Sequence, residues 1–379
     1  MDLVTALARA RSPEEPGPDT PAGPPVRRWP DPPRPVPPAR PGELDLDRLL
    51  RLSLTAGDGA GRLRPAASAG ALHPVDAGLV VGTGCPLPPG RYGYDPLRHR
   101  VHHLGPAPAG TPPGVSAELS VTPRRTISHY GHRAWPLLLL DTGHTAGALW
   151  LAARALGATP ALHLDGRTPS AGDPEPIGHG AHRPAADPVA TGADAEPLAT
   201  VHVPPPRHTA GPHDVPARRS APTPLHGTPP PEDLHALLTT VAEAGAGELA
   251  WCAAVGGPRP GLVEAAPDGT LRRIASGDAR PTLAVWAARQ AWIARAGAVL
   301  LGHGCPMDAG AARIRRVHLR AGHAVQLAHV TAARRKLAAR PVGSWQRADL
   351  GAALGGPPGR DLVVHALALG TAHPEERTS

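Results

Sequence analysis

Apolar positions recur in short runs separated by proline- and glycine-rich stretches, and their spacing predicts helices and strands in mixed order. Leu46, Leu49 and Leu50 share one face of a helix over 46–54, with Asp45 or Asp47 near its start. A second short helix is expected over 3–11. The apolar run 77–81 follows at once on the small-residue stretch 64–74 and reads as a buried strand. Segments 90–96 and 100–104 read as the arms of a hairpin turning at Asp95-Pro96, and 118–121 as a further strand. His129 to Trp135 then lead through Leu137 and Leu140, at the mouth of an expected strand, to an Ala-rich run over 145–156. That run is apolar nearly all round, so it reads as a core helix, expected to open at Gly143-His144. A loose segment over 166–194 and a strand over 197–203 complete this part.

Past a linker at 204–217 the same order of elements returns. Leu234, Leu237 and Leu238 echo the first leucine face, 249–255 stands where 77–81 stood, and the hairpin arm 266–274 answers 94–104. A strand over 297–301, a core helix over 324–337 opened by Gly322-His323, and a strand over 361–369 follow in turn. Six matches in order point to an internal duplication, with halves at 43–203 and 218–379; the competing reading is two unrelated α+β domains. Residues 1–42 are proline-rich beyond the first helix and bury too little apolar area to offset ordering, which makes them an extended arm or a disordered tail.

Composition narrows the function classes. The chain has 379 residues, 41% of them hydrophobic, and no Phe, so its cores are built from Leu, Val and Ala. Its net charge of +7 comes from scattered arginines, with Lys336 the single lysine, and no basic helix is interleaved with aromatics. A nucleic-acid partner is not expected on that pattern. The three cysteines, Cys85, Cys252 and Cys305, form no Cys-x-x-Cys motif. No signal peptide or membrane-length apolar run is apparent, so a cytoplasmic protein without a membrane partner is expected. His99, His102 and His103 sit close together on what reads as an exposed hairpin arm, where no metal site is expected.

Candidate chemistry begins with Ser68-Ala69-Gly70-Ala71-Leu72-His73-Pro74. A loop this poor in side-chain bulk lets a flat ligand lie against main-chain N–H groups. By itself it is either a tight turn into a strand or half of a cofactor site. Together with the 89–96 hairpin, the His129-Tyr130-Gly131-His132-Arg133-Ala134-Trp135 segment and the Gly-His helices of both halves, it resembles the nitroreductase-like FMN proteins. Within them the chain resembles the SagB-type dehydrogenases of thiazoline and oxazoline rings in ribosomally made peptides. The resemblance implies an α+β nitroreductase-like sandwich, with the two halves forming a pseudo-dimer within one chain.

It also implies how an FMN would be held. The loop Ser68, Ala69, Gly70, Ala71, Leu72 and His73 would come from half one. The phosphate-binding Arg218, Arg219 and Ser220, the turn Pro341, Val342, Gly343 and Ser344, and Arg377 would come from half two. Half one offers Trp29 in place of the serine, and half two lacks the loop, so one FMN per chain is expected. In the family a Lys-Tyr pair serves proton transfer at the position of His129 and Tyr130, the candidate catalytic pair here. Three functions follow. The first is an azoline dehydrogenase acting on a peptide or small-molecule substrate, with a cyclodehydratase or other biosynthetic enzyme as partner. The second is an NAD(P)H-dependent flavin reductase of activated alkenes or nitro groups. The third is a flavin-less scaffold that binds a peptide or partner.

Overall fold

The computed structural model describes residues 2–164, 196–206 and 218–371. The expected loose segment, most of the expected linker, and Arg377 lie outside the described residues. The chain divides into two compact units. The first holds Gly17–Ala134 and Asp141–Val215; the second holds Met1–Pro16, Trp135–Leu140 and Pro216–Ser379. Helix α1 (Leu3–Ala10) belongs to the second unit, its N-cap Asp2 accepting the N–H groups of Val4 and Thr5.

Among the described residues the first unit carries a seven-stranded sheet. Its strands are β1 (Arg34–Pro35), β2 (Val75–Val81), β3 (Gly90–Asp95), β4 (Arg100–Gly105), β5 (Val115–Val121), β6 (Ala161–His163) and β7 (Ala199–Val203), in the order β1-β4-β3-β2-β5-β7-β6. Helix α2 (Leu46–Ser53) is capped by Asp45, whose carboxylate accepts the Arg48 N–H, and it buries Leu46, Leu49 and Leu50. Two more helices follow β5: α3 (Arg124–Tyr130) and α4 (Ala134–Ala155).

The second unit has helix α5 (Pro231–Gly245), strands β8 (Ala250–Val255), β9 (Gly261–Ala265), β10 (Leu271–Ser276) and β11 (Ala298–Cys305), with α6 (Arg280–Trp286) before β11. After it come α7 (Ala311–Arg334), β12 (Leu337–Val342), α8 (Leu350–Ala353) and β13 (Leu362–Thr371). Its sheet order is β10-β9-β8-β11-β13-β12. With β1 set aside, the two sheets share one order, strand for strand, and every neighbouring pair is antiparallel. The same bond closes the central strands of each. Gly82 N–H donates to the Gly114 carbonyl at 2.9 Å, and Gly256 N–H to the Gly297 carbonyl at 2.9 Å.

β8 alternates between two buried faces. Cys252 and Ala254 join the cluster of Leu283, Ile293 and Trp345 on one side, which leaves Trp251, Ala253 and Val255 on the other, where α5 packs. Both faces of this sheet are therefore covered, and β11 and β13 read as nearly continuous apolar runs.

Several expectations change. Leu137 and Leu140 lie in a helix, not a strand, because α4 starts at Ala134. Neither Gly-His pair opens a helix: Gly143-His144 and Gly322-His323 sit inside α4 and α7. Burial of both helices outweighs the roughly 1 kcal/mol by which an interior glycine disfavours helix. His129 and Tyr130 end a helix, and Gly131 (φ 50) makes the break that follows. The expected exposed histidine arm is largely interior. His99 is buried with its Nε2 on Asp47 and Nδ1 on Tyr94 Oη, and His102 is buried against the Asp31 carbonyl. The arm before residue 42 is extended and packed, with Val36 buried and Arg34–Pro35 paired to β4. Lys336 stands exposed between α7 and β12 in a left-handed conformation (φ 57). Among the described residues no helix is long and apolar enough to cross a membrane.

Trp29 lies flat on β3. Its Nε1–H donates to the Tyr94 carbonyl at 3.2 Å, and the Arg27 guanidinium stacks 4.6 Å above its ring. A Cβ on Gly93 would come within 2.1–2.5 Å of the indole, so this position admits only glycine. Gly93→Ala should cost about 1–3 kcal/mol through overpacking, a fall of roughly 2–4 °C in Tm per kcal/mol. Pairing it with Trp29→Ala should remove most of that loss, as thermal unfolding of the two single variants and the double variant will show.

Candidate functional site

The small-residue loop is built on one carboxylate. Asp141 interrupts the apolar run Leu137 to Leu140 of α4 and is 3% exposed. It accepts the Ser68 Oγ–H at 2.6 Å and the Ala69 N–H at 3.1 Å. Ser68 Oγ in turn accepts the His73 N–H at 2.9 Å, which folds the stretch back on itself. A short 3-10 turn, Ala69–Ala71, results, with Gly70 (φ 61), Ala71 (φ 54) and His73 (φ 44) all left-handed. Two non-glycine residues in that region are strained and persist only where the surroundings hold them. Here the far end is held as well. The His73 carbonyl and the Asp76 carboxylate both accept from Arg125 Nη1, at 3.2 and 2.8 Å, and Thr122 Oγ1–H donates to Asp76 at 2.6 Å.

The loop offers less main chain than its composition suggests. The N–H groups of Ala69, Ala71, Leu72 and His73 are turned inward, to Asp141, the Ser68 carbonyl, the Ala69 carbonyl and Ser68 Oγ respectively. Gly70 is the exposed residue of the turn whose N–H is not taken in this way. Its missing side chain matters too, since a Cβ there would stand 3.2 Å from Tyr130 Oη. Tyr130 and the loop are thus brought together in one unit. The rings of His129 and Tyr130 meet edge to face at 4.7 Å, and His129 Nδ1 lies 3.0 Å from the Asp19 carboxylate. Donation of Nδ1–H to Asp19 leaves Nε2 as the lone-pair nitrogen of His129.

Behind the loop lies a small recess with room for about one water molecule. It is lined by Ser53 and Leu54 at the end of α2, Arg64, Ser68 and His73 from the loop, Ala77 on β2, Tyr94 on β3, and Asp141 and Thr145 on α4. Burial, with Arg125 close by, pulls the Arg64 guanidinium down to about 10. Burial pushes the Asp141 carboxyl up to about 7, against the pull of Ser68 and the Ala69 N–H. Sequence reasoning missed Asp141, Arg64 and Tyr94. The first left a readable signal, a lone acid in an apolar helix, which has to be buried and hydrogen-bonded.

The half-two residues also come together, within the second unit. Ala221 N–H donates to the Ala339 carbonyl at 3.0 Å, which lays the chain after Arg218, Arg219 and Ser220 along β12. β12 ends in Pro341 and Val342, and Gly343 and Ser344 follow it. Arg218 Nη1 donates to Ser220 Oγ at 3.4 Å and lies 3.5 Å from His329 Nδ1, and its burial lowers it to about 10. Arg219 and Ser220 are exposed, and Arg219 forms no ion pair among the described residues. A Cβ on Gly343 would stand 2.8 Å from a Leu137 methyl, so its glycine is a packing requirement. Trp29, expected to replace a phosphate-binding serine, is a packing residue on β3.

Asp141 sets a pH dependence. Its folded value near 7 lies above its ordinary 3.8, so its protonated form stabilises the fold. That contribution is fully present below about 3.8 and is lost as pH rises through about 7. Asn at this position does not titrate. The Tm of the native protein minus that of Asp141→Asn should therefore increase by several degrees from pH 8 to pH 4; a constant difference would show that the carboxyl does not titrate there.

No protein-family model matches the chain, and no curated protein does. Among solved structures it superposes on a protein assigned to the nitroreductases from Anabaena variabilis ATCC 29413, with a TM-score of 0.63 at 18% identity, over 86% of this chain and 88% of that one. A Desulfovibrio desulfuricans protein, likewise assigned to the nitroreductases and solved in complex with FMN, matches over 43% of this chain and 86% of its own, with 20% identity and a TM-score of 0.31. The Escherichia coli microcin synthetase McbBCD complex with truncated pro-MccB17 bound matches over 31% of this chain and 51% of its own, with 18% identity and a TM-score of 0.27. At those two TM-scores the overlaps bear on nothing further. The first likeness extends over 86% of the chain and so reaches both sheets. At its level of identity it speaks for fold alone: the chain has the α+β nitroreductase fold.

Proposed function

We propose that this chain is an FMN-dependent oxidoreductase that dehydrogenates azoline rings, or a related backbone-linked group, in a ribosomally made peptide. The observation that carries the reading is the loop from Ser68 to His73, tied to α4 by Asp141, with Gly70 open beside Tyr130 Oη on a nitroreductase fold. Supporting it, the two sheets share one strand order and one glycine closure, as descent from a single ancestral half requires.

The residues fit an FMN. A glycine without a side chain, beside an N–H not turned inward, suits the edge of a flat ring, and Ser68 to His73 would hold that end. Two guanidinium groups and a hydroxyl in consecutive residues suit a phosphate, so Arg218, Arg219 and Ser220, with Pro341 to Ser344 and Arg377, would hold the other. FMN would supply hydride acceptance. His129 and Tyr130 would take the proton that leaves the neighbouring carbon, His129 through Nε2 with Asp19 holding Nδ1–H. Imidazole accepts a proton near neutrality, which lysine in its ordinary state does not. A peptide-modifying enzyme that forms the azoline, such as a cyclodehydratase, is the partner this reading requires.

The purified protein should be yellow or take up added FMN to one equivalent per chain; a colourless protein that binds none refutes the reading. Bleaching of the bound flavin by a nicotinamide cofactor would point to a reductase instead. Arg219→Ala should weaken FMN about tenfold or more, as expected for loss of a charge-assisted bond, while Arg28→Ala should change it less than about twofold. Fluorescence titration will compare them. Tyr130→Phe should leave FMN affinity unchanged and slow turnover of an azoline peptide about 100-fold.

A further inference from the structure

Asp47, His99 and Tyr94 form an unbroken chain of short hydrogen bonds inside the first unit. The Asp47 carboxylate lies 2.7 Å from His99 Nε2, and His99 Nδ1 lies 2.7 Å from Tyr94 Oη. A carboxylate only accepts, so Nε2 carries its hydrogen and Nδ1 of the neutral ring presents a lone pair. Tyr94 Oη–H fills it, because the Thr55 hydroxyl, 2.7 Å from Tyr94 Oη, has the Leu50 carbonyl to donate to at 3.0 Å. His99 reaches this place in a left-handed conformation (φ 51), after a turn in which Asp95 accepts the Leu97 and Arg98 N–H groups. A strained residue of that kind persists only where its contacts hold it.

The arrangement exceeds what the fold requires. The matching leucine faces of α2 and α5 set Asp47 on His235, and the pairs Val81–Gly90 and Val255–Gly261 set Tyr94 on Ala265. In the second unit one bond ties helix to hairpin at this point, from His235 Nε2–H to the Ala266 carbonyl at 3.1 Å. That tie uses neither a phenol nor a carboxylate, and the first unit has both.

What the longer chain adds is a second complete arrangement of the same hydrogens. Once the phenolic hydrogen has moved to Nδ1, Nδ1–H donates back to the Tyr94 oxygen and the imidazolium rests on Asp47. Arg51 Nε–H donates to the other Asp47 oxygen at 2.7 Å, and Arg51 and His99 together hold that carboxyl below its ordinary range. A charge formed on His99 is therefore paired where it forms. Burial pushes the Tyr94 phenol above its ordinary value, so it gives up a proton only to a positioned base. Tyr94 also lines the recess behind the loop, which puts it beside the candidate site.

We propose that Tyr94 and His99 are a proton-coupled redox pair. An oxygen-centred radical takes one electron from Tyr94, whose phenolic proton passes to His99 Nδ1, leaving a neutral phenoxyl group hydrogen-bonded to an imidazolium. The oxidant becomes an oxyanion and is protonated by water. A thiolate or ascorbate then returns one electron to Tyr94, and the proton goes back from Nδ1 to the phenol oxygen.

The purified protein, carrying ring-deuterated tyrosine and no added FMN, should give a phenoxyl EPR signal on oxidation by photogenerated tris(bipyridine)ruthenium(III). Tyr94→Phe should remove most of that signal, and Tyr92→Phe should leave it. His99→Gln, its fold checked by thermal unfolding, should slow formation of the radical about 100-fold, as for loss of a positioned base. In the native protein, electron–nuclear double resonance should show the radical coupled to nitrogen of isotope-labelled histidine. A signal undiminished in Tyr94→Phe, or formed at an unchanged rate in folded His99→Gln, overturns the pair. If neither variant folds, absence of the histidine coupling in the native protein overturns it. Failure to bind FMN would count against the proposed function alone, since this chemistry needs no flavin.

Discussion

A carboxylate placed in an apolar helix cannot be left alone, and much of the first unit is arranged around that constraint. Asp141 is satisfied by a hydroxyl and a main-chain N–H from one loop. Meeting it fixes Ser68, Ser68 fixes His73, and the turn between them takes left-handed residues that would relax elsewhere. The exposure of Gly70 toward Tyr130 is the far consequence of a buried carboxyl on α4.

The second unit meets the same architectural demand differently. Where the first lets 54–74 wander between helix and strand, the second joins them through 246–249, and the polarity of the tie is reversed. Its helix α7 supplies Arg316 and its short loop supplies Glu248, bonded at 2.6 Å. One scaffold therefore supports a polar, loop-bounded recess in one copy and a sealed apolar packing in the other. The sheet order is indifferent to which is built, because the ladders depend on the main chain.

Much of the fold was legible in the sequence. The leucine face of α2, the β3–β4 hairpin and the order of elements in both halves follow from periodicity and turn residues, which are local properties. The starts of α4 and α7 were not legible, because glycine weakens a helix locally while burial, a property of the whole unit, sustains it. The burial of His99 was hidden for the same reason: its partner Asp47 lies far off in sequence. At the site, the small-residue loop and its neighbour Tyr130 could be singled out by composition and resemblance. The inward turn of four of its N–H groups could not, since it depends on an acid more than seventy residues away.

The position of Lys336 gives the protein an unplanned chemical address. It is the chain's single lysine, it is exposed, and it stands three residues before Ala339, whose carbonyl anchors the strand edge that carries Arg218 to Ser220. Apart from the α-amino group, an amine-directed dye or surface linker therefore has one place to attach. Such a label would report from the edge of the arginine cluster without any cysteine being introduced, and every molecule tethered through it would present the same face.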